Sequence, residues 1–478
     1  MRAFPSDKIA LISGVLFALV LAICTYLDLM WMAAFPAVLL LGLWFVKRLD
    51  LFMTVLVIAI PLSLNLQEFS DTLPGLYIPT EPMLMGLLVL FMFRAFSGTP
   101  VDKRLLKHPM TLLIGGMMVW MMIATATSSH PLVSIKFFIS RTWFIVGFYL
   151  FLGHILLHKK SFRENFLMML LFPLTIVITY TLIRHAGHDF SKHAGHWMMK
   201  PFFKDHTSYG AVLAMLFLPA VALLVKKDRP GITRVMLGIS TFIIAIGLVF
   251  SFTRAAWVSL VGVGAIFTAM KLGFKFKQLA GIGVLILVLI YVNHDSILIE
   301  LQRNKQDSSD NFTEHVESIS NVSSDDSNLE RLNRWNCAIS LFKERPITGW
   351  GPGTYQFVYA PFQEAKYRTI ISTNNADGGN AHSEYLGPLA EQGVPGLLFV
   401  VALLWWCCGL GFKLWEEIKD IDTRNLAVSI YLGLMTYFIH GVLNNYLDTD
   451  KASAPFWGFI ALLVVLDIEL SEENKLTS

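Results

Sequence analysis

Residues 380–396 read Asn-Ala-His-Ser-Glu-Tyr-Leu-Gly-Pro-Leu-Ala-Glu-Gln-Gly-Val-Pro-Gly (NAHSEYLGPLAEQGVPG), closing a long polar loop and opening an apolar helix. The stretch carries one histidine, His382, and two carboxylates, Glu384 and Glu391. The apolar span that it opens, 395–413, is one of many. The chain is 55% hydrophobic and only 15% charged, with mean hydropathy +0.57, against about 25% charged residues in a soluble domain. Apolar runs long enough to cross a bilayer recur at 9–27, 29–46, 51–66, 81–96, 109–127, 135–157, 164–184, 207–225, 233–251, 255–270, 277–293, 395–413, 425–443 and 453–468. The fold class expected is therefore an all-α polytopic membrane protein of about 12–14 transmembrane helices with one large, partly helical outside loop. The first run has no small-residue cleavage site and another span follows at once, so it reads as a retained helix.

Lys and Arg set the orientation. With the N-terminus inside, the short connections carrying Lys47, Arg48, Arg94, Lys103, Arg104, Lys107, Lys159, Lys160, Arg163, Lys226, Lys227, Arg229, Lys271, Lys275, Lys413, Lys419 and Arg424 all fall on one side. The connections 67–80 and 128–134 hold none. This alternation predicts both termini in the cytoplasm. It divides the chain into a transmembrane bundle at 1–293, a large outside loop at 294–394, and C-terminal helices with a short tail at 395–478.

Two outside segments are long. Segment 185–206 repeats His-Ala-Gly-His at 185–188 and 193–196 and adds His206. Histidines so spaced can hold zinc, but no cysteine accompanies them, and a polar loop facing water is the reading adopted. The large loop begins with a Ser/Asp/Asn/Glu-rich stretch, 304–330, whose composition cannot bury a core. Order is expected to resume at 328–342, with Leu332, Trp335, Ala338, Ile339 and Phe342 on one face of an amphipathic helix. Arg331 and Arg334 lie three apart and share a side of it. Pro346 ends it, and the turn Gly-Trp-Gly-Pro-Gly follows at 349–353. Of the cysteines only Cys337 lies outside; Cys24, Cys407 and Cys408 fall in spans, so no outside disulfide can form within the chain.

Arg254, in Ser-Phe-Thr-Arg-Ala-Ala-Trp at 251–257, sits at the outer mouth between two spans. An arginine there either snorkels to headgroups or binds something. Arg331 and Arg334 could equally be a solvated helix face, and His382 a loop histidine with no task. Their convergence on one side favours a clamp for a diphosphate, because guanidinium forks match phosphate oxygens. An imidazole among them is suited to general-base work near neutral pH.

SFTRAAW (251–257), RLNRWNCAISLFKERPITGWGPGTY (331–355) and NAHSEYLGPLAEQGVPG (380–396) together resemble the successive motifs of the O-antigen ligase and O-antigen polymerase superfamily. SHPLVSIKF at 129–137 also resembles a recurring segment of that family. The third motif is the most specific; Ser383 stands where Asn is common, and the polar insertion 304–330 is long. The resemblance implies an inverting glycosyltransferase that moves a glycan from undecaprenyl diphosphate to an acceptor hydroxyl at the periplasmic face of the bacterial inner membrane. An O-antigen ligase acting on lipid A–core is the leading reading. A polymerase extending its own glycan or a protein O-oligosaccharyltransferase shares the chemistry, and a polysaccharide transporter is the non-enzyme alternative. By the same resemblance His382 activates the acceptor, and Arg254 and Arg334 serve the leaving diphosphate. Arg331, Trp335, Glu384, Tyr385 and Glu391 contact substrate. The donor glycolipid, the lipid or glycan acceptor and membrane lipids are the partners; no metal, cofactor or nucleic acid is implied.

Overall fold

The computed structural model describes residues 48–70, 75–98, 101–227, 229–293, 326–365, 372 and 379–477. The expected spans 9–27 and 29–46, Cys24 and nearly all of the polar stretch 304–330 lie outside them. Contacts divide the chain after Leu56; of the first unit only 48–56 are described, the start of helix α1 (Leu49–Leu62). The second unit continues with α2 (Thr80–Ser97), α3 (Pro109–Ala126), α4 (Pro131–His158, with a π-helical stretch over Ile145–Phe151), α5 (Ser161–Ala186) and α6 (His206–Val225). Next come α7 (Gly231–Phe250), α8 (Arg254–Lys271), α9 (Phe276–Val292), α10 (Asp326–Glu344), α11 (Leu386–Glu417), α12 (Ile421–His440) and α13 (Asp450–Thr477).

The protein is an all-α polytopic membrane protein. Among the described residues eight helices, α2 to α7, α11 and α13, are long and apolar enough to cross a membrane. α13 is the most enclosed of them, and α12 packs against α6, α8, α11 and α13. The expected span 51–66 is too long: α1 stops at Leu62, and Leu64–Asn65 pairs antiparallel with Tyr77–Ile78.

Charge organises one end of the bundle. Arg104 pairs with Glu472, His108 and Lys413 with Asp467, and Arg163 with Glu469, joining the basic connections to the end of α13. The opposite end carries the large loop and the site.

The loop helix α10 buries a different face from the one its apolar residues suggest. Glu330, Asn333, Arg334, Cys337, Ala338 and Leu341 are buried, whereas Ile339 is exposed. The reason is polar: Asn333 Nδ2 donates to Gln363 Oε1 at 3.0 Å and to Glu330 Oε2 at 3.3 Å, and Arg334 Nε donates to Glu330 at 2.6 Å. Satisfied pairs of this kind can be buried at little cost, and they turn the helix by about one residue.

The Gly-Trp-Gly-Pro-Gly turn is locked into the first turns of α11. Pro395 has no N–H, so the Glu391 carbonyl cannot have its ordinary helical donor. Gly393, at φ 70°, breaks the helix there. Gly351 N–H then donates to the Glu391 carbonyl at 2.8 Å, Trp350 N–H to the Ala390 carbonyl at 3.1 Å, and Trp120 Nε1 to the Gln392 carbonyl at 2.9 Å. Val394 N–H turns to the Pro346 carbonyl at 2.9 Å. Each group freed by the kink finds a partner, as backbone at membrane depth requires. Ser129 N–H and Oγ both reach the Trp350 carbonyl at 3.0 Å, and Ser134 Oγ reaches the Pro352 carbonyl at 2.8 Å. The motif at 129–137 is thus the far side of the same lock. A Cβ on Gly393 would collide with the Ile347 carbonyl. Gly393→Ala should therefore destabilise by at least about 1–3 kcal/mol from backbone strain alone; a thermal unfolding midpoint equal to wild type in detergent would contradict the lock.

Candidate active site

His382 lies in the turn between the loop and α11, with φ 47°. A left-handed φ at a non-glycine residue is uncommon and gathers at functional turns. Asn380 Oδ1 accepts the His382 N–H at 3.1 Å, and Trp335 Nε1 approaches the His382 carbonyl at 3.5 Å. The half-buried imidazole has its pKa pushed down to about 4, first by burial and then by the Arg331 and Arg334 guanidiniums; Glu330 and Asp205 oppose the shift. Near neutral pH the ring is uncharged and able to accept a proton.

The arginines divide. Arg334 is buried, bonds Glu330 through Nε, lies over the Tyr359 ring at 4.3 Å, and receives the Tyr355 hydroxyl on its carbonyl at 2.8 Å. Its Nη1 is buried with no hydrogen-bond partner among the described residues. Gly379 passes directly over that guanidinium, where any Cβ would collide with it. Burial would raise the Glu330 carboxyl, but bonds from Ser372, Arg334 and Asn333 outweigh it and hold the pKa low. Arg331 is half-buried, and its charge lowers the His382 pKa. Arg254 opens α8, half-buried at the helix N-terminus. The preceding turn is anchored: Thr253 Oγ1 donates to the His206 carbonyl at 2.8 Å, and Phe252 adopts φ 48°. That anchor puts the Arg254 turn against the start of α6, beside Asp205.

Four other sequence candidates hold the architecture together. Glu384 Oε1 accepts the Tyr437 hydroxyl at 2.5 Å and the N–H groups of Tyr446 and Leu447 at 3.0 and 3.1 Å, and Glu384 N–H donates to the Gly441 carbonyl at 2.7 Å. Glu391 Oε1 accepts the Tyr355 N–H at 3.0 Å. Tyr385 donates its hydroxyl to the Phe438 carbonyl at 2.9 Å. Trp335 supports the His382 turn from α10.

Residues that sequence reasoning passed over complete the polar cluster. Asp205 caps α6, accepting the Ser208 N–H at 2.7 Å, and its charge acts on His382. In sequence it is indistinguishable from an ordinary cap. His440 was absorbed into the span 425–443; it is buried at the end of α12, with Nε2 3.2 Å from Asn444 Nδ2. The Thr207 and Tyr446 hydroxyls bond to each other nearby. In the histidine-rich segment His185 belongs to the buried last turn of α5 and bonds the Ser191 carbonyl at 2.8 Å, while the His196 and His206 rings stack at 4.3 Å. No group of His, Cys, Asp or Glu suited to a metal is found among the described residues.

Beside this cluster lies a cavity of about 870 Å³. Ala381, Ser383, Glu384 and Glu391 line it; His382, Arg254, Arg331 and Arg334 do not. Gly379 and Asn380 of the same segment line it too.

Residues 239–401, from α7 into α11, match the family model described as O-Antigen ligase. Over that stretch, about a third of its length, the chain is similar to the O-antigen ligase family. No curated protein matches it.

The low pKa of His382 has a sign that can be tested. The base form is lost only as pH falls towards about 4, so kcat/KM should be level from pH 8 to 6 and fall in acid. In Arg331→Gln one of the two charges depressing the pKa is gone, and the acid limb should move up in pH. A limb that stays in place would remove Arg331 from the surroundings of His382.

Proposed function

We propose that this chain transfers a glycan from undecaprenyl diphosphate to an acceptor hydroxyl at the periplasmic face of the bacterial inner membrane, as an O-antigen ligase that joins O-polysaccharide to lipid A–core. What supports the reading is the O-Antigen ligase match over 239–401 together with the half-buried His382, whose pKa is pushed down by burial and by the Arg331 and Arg334 charges. In one displacement the acceptor oxygen bonds to the anomeric carbon and the bond from that carbon to the diphosphate oxygen breaks. The configuration inverts. The hydroxyl proton passes to His382, and the electron pair stays on the diphosphate. Arg331, Arg254 and the buried Nη1 of Arg334 bind that diphosphate, so they stabilise the charge that grows in the transition state.

The arrangement couples the two substrates. Without donor, burial first and then the Arg331 and Arg334 charges hold the His382 pKa down. A bound diphosphate neutralises them, the pKa rises, and the imidazole becomes a stronger base only when there is something to transfer. Guanidiniums stand where a metal enzyme would present clustered carboxylates, so the reaction proceeds without a divalent cation.

His382→Ala should abolish turnover of a defined undecaprenyl-diphosphate glycan by folded, membrane-inserted protein. Arg254→Ala should lose at least about a hundredfold in rate, the scale for one preorganised donor, and Arg254→Lys should stay impaired because it has no planar fork. Wild-type rates for Arg254→Ala would mean that this arginine only contacts headgroups. Activity should also persist in excess EDTA; loss that Mg²⁺ or Zn²⁺ restores would sink the arginine clamp.

A further inference from the structure

Three helices whose ends carry the candidate active site meet again at the opposite end of the bundle. α8 begins at Arg254, α11 follows the His382 turn, and Gly441, the residue after α12, takes the Glu384 N–H on its carbonyl at 2.7 Å. At their other ends the three converge on one indole. Lys271, the last residue of α8, has its Nζ 6.0 Å from the centre of the Trp415 ring of α11, and Arg424 of α12 has its guanidinium carbon 5.2 Å from the same centre. Phe267 of α8 meets that ring edge-on at 6.3 Å and lies 5.4 Å from Lys271 Nζ. Lys413, two residues before Trp415, pairs with Asp467, which places the cluster at the end of the bundle away from the large loop.

The two cations lack counter-charges. Among the described residues neither Lys271 nor Arg424 is in an ion pair. At the same end Arg104, Arg163, Lys226, Arg229 and Lys413 are all paired. Arg424 is half-buried, and its Nε is buried with no hydrogen-bond partner among the described residues. The carboxylates nearest in sequence are engaged elsewhere. Glu417 accepts from Asn474 Nδ2 at 3.3 Å, and Asp420 accepts the Thr423 N–H and hydroxyl at 2.9 and 2.7 Å. Asp422 lines a small cleft with Glu164 and Lys226, on the side of α12 away from Arg424, as a two-residue offset on a helix requires. Glu416 is exposed and pairs with neither cation. An aromatic face attracts a cation but has no net charge, so one ring flanked by two cations leaves both charges to be met by an anion.

The surroundings say what kind of anion. Leu272 and Ile421, beside the two cations, are 72% and 62% exposed, and Trp405, further along α11, is 53% exposed. In a protein that crosses a membrane such faces lie against lipid, and basic groups between helix ends meet the headgroups there. A guanidinium fork and an ammonium suit the oxygens of a phosphodiester.

We propose that Lys271, Trp415 and Arg424 form a site for an anionic phospholipid, whose phosphate lies at the two cations and whose chains run past Leu272 and Ile421 towards Trp405. Bound there, the lipid ties together the ends of α8, α11 and α12.

The test is lipid binding to full-length protein in detergent, titrated with phosphatidylglycerol or phosphatidylcholine and read by native mass spectrometry alongside the thermal midpoint. Phosphatidylglycerol should bind more tightly and raise the midpoint, because a ligand of the folded state stabilises it. Lys271→Gln changes an exposed side chain, so its midpoint without lipid should match wild type. Its affinity for phosphatidylglycerol should fall about fivefold, the scale of one cation at a membrane surface. Lys271→Gln with Arg424→Gln should fall further, to the level of phosphatidylcholine. Lys103→Gln with Lys107→Gln, exposed at the same end, should bind as wild type. Wild-type affinity in the Lys271→Gln variant would overturn the proposal. So would an equal loss in the Lys103 and Lys107 variant, which would mean a diffuse surface field, and so would full competition by glycerol 3-phosphate, which would mean a site for a free anion.

Discussion

Everything at the loop end of this protein hangs on a helix that cannot complete its own hydrogen bonds. Pro395 deprives the Glu391 carbonyl of a donor, and the Gly393 kink releases its neighbours. In a lipid environment those groups need protein partners. They find them in Trp350, Gly351 and Trp120. An unsatisfied backbone thus becomes the attachment of a loop, and that loop brings α10 and its arginines up to His382.

The motif residues then separate by what their atoms touch. Glu384, Glu391 and Tyr385 are engaged with backbone amides, a tyrosine hydroxyl and a carbonyl. Their loss would be felt first as displacement of the turn that holds His382. Arg334 is intermediate: one nitrogen is fixed by Glu330 and another is buried without a partner among the described residues. Bonded to Glu330, packed on the Tyr359 ring and covered by Gly379, this guanidinium has little freedom left. The Arg331 charge acts on both His382 and Tyr446.

Hydropathy alone made the fold class legible, because crossing a bilayer demands long apolar helices, as α2 to α7, α11 and α13 are. The three motif stretches marked where the chemistry lies, since His and Arg stand out against so apolar a background. Other features were not legible. Asp205 looks like a helix cap and His440 like the end of a span, because it is the packing of α6 against α12 that brings Asp205 to act on His382 and brings His440 under the charges of Arg331 and Asp205. The buried face of α10 escaped a reading based on apolar periodicity, because Asn333 and Arg334 are buried through hydrogen bonds that depend on Glu330, Gln363 and Ser372. Local pattern sufficed to determine which segments are apolar helices and which residues can do chemistry. Only the tertiary structure decided which charges are spent on the fold and which face a ligand, because that depends on partners distant in sequence.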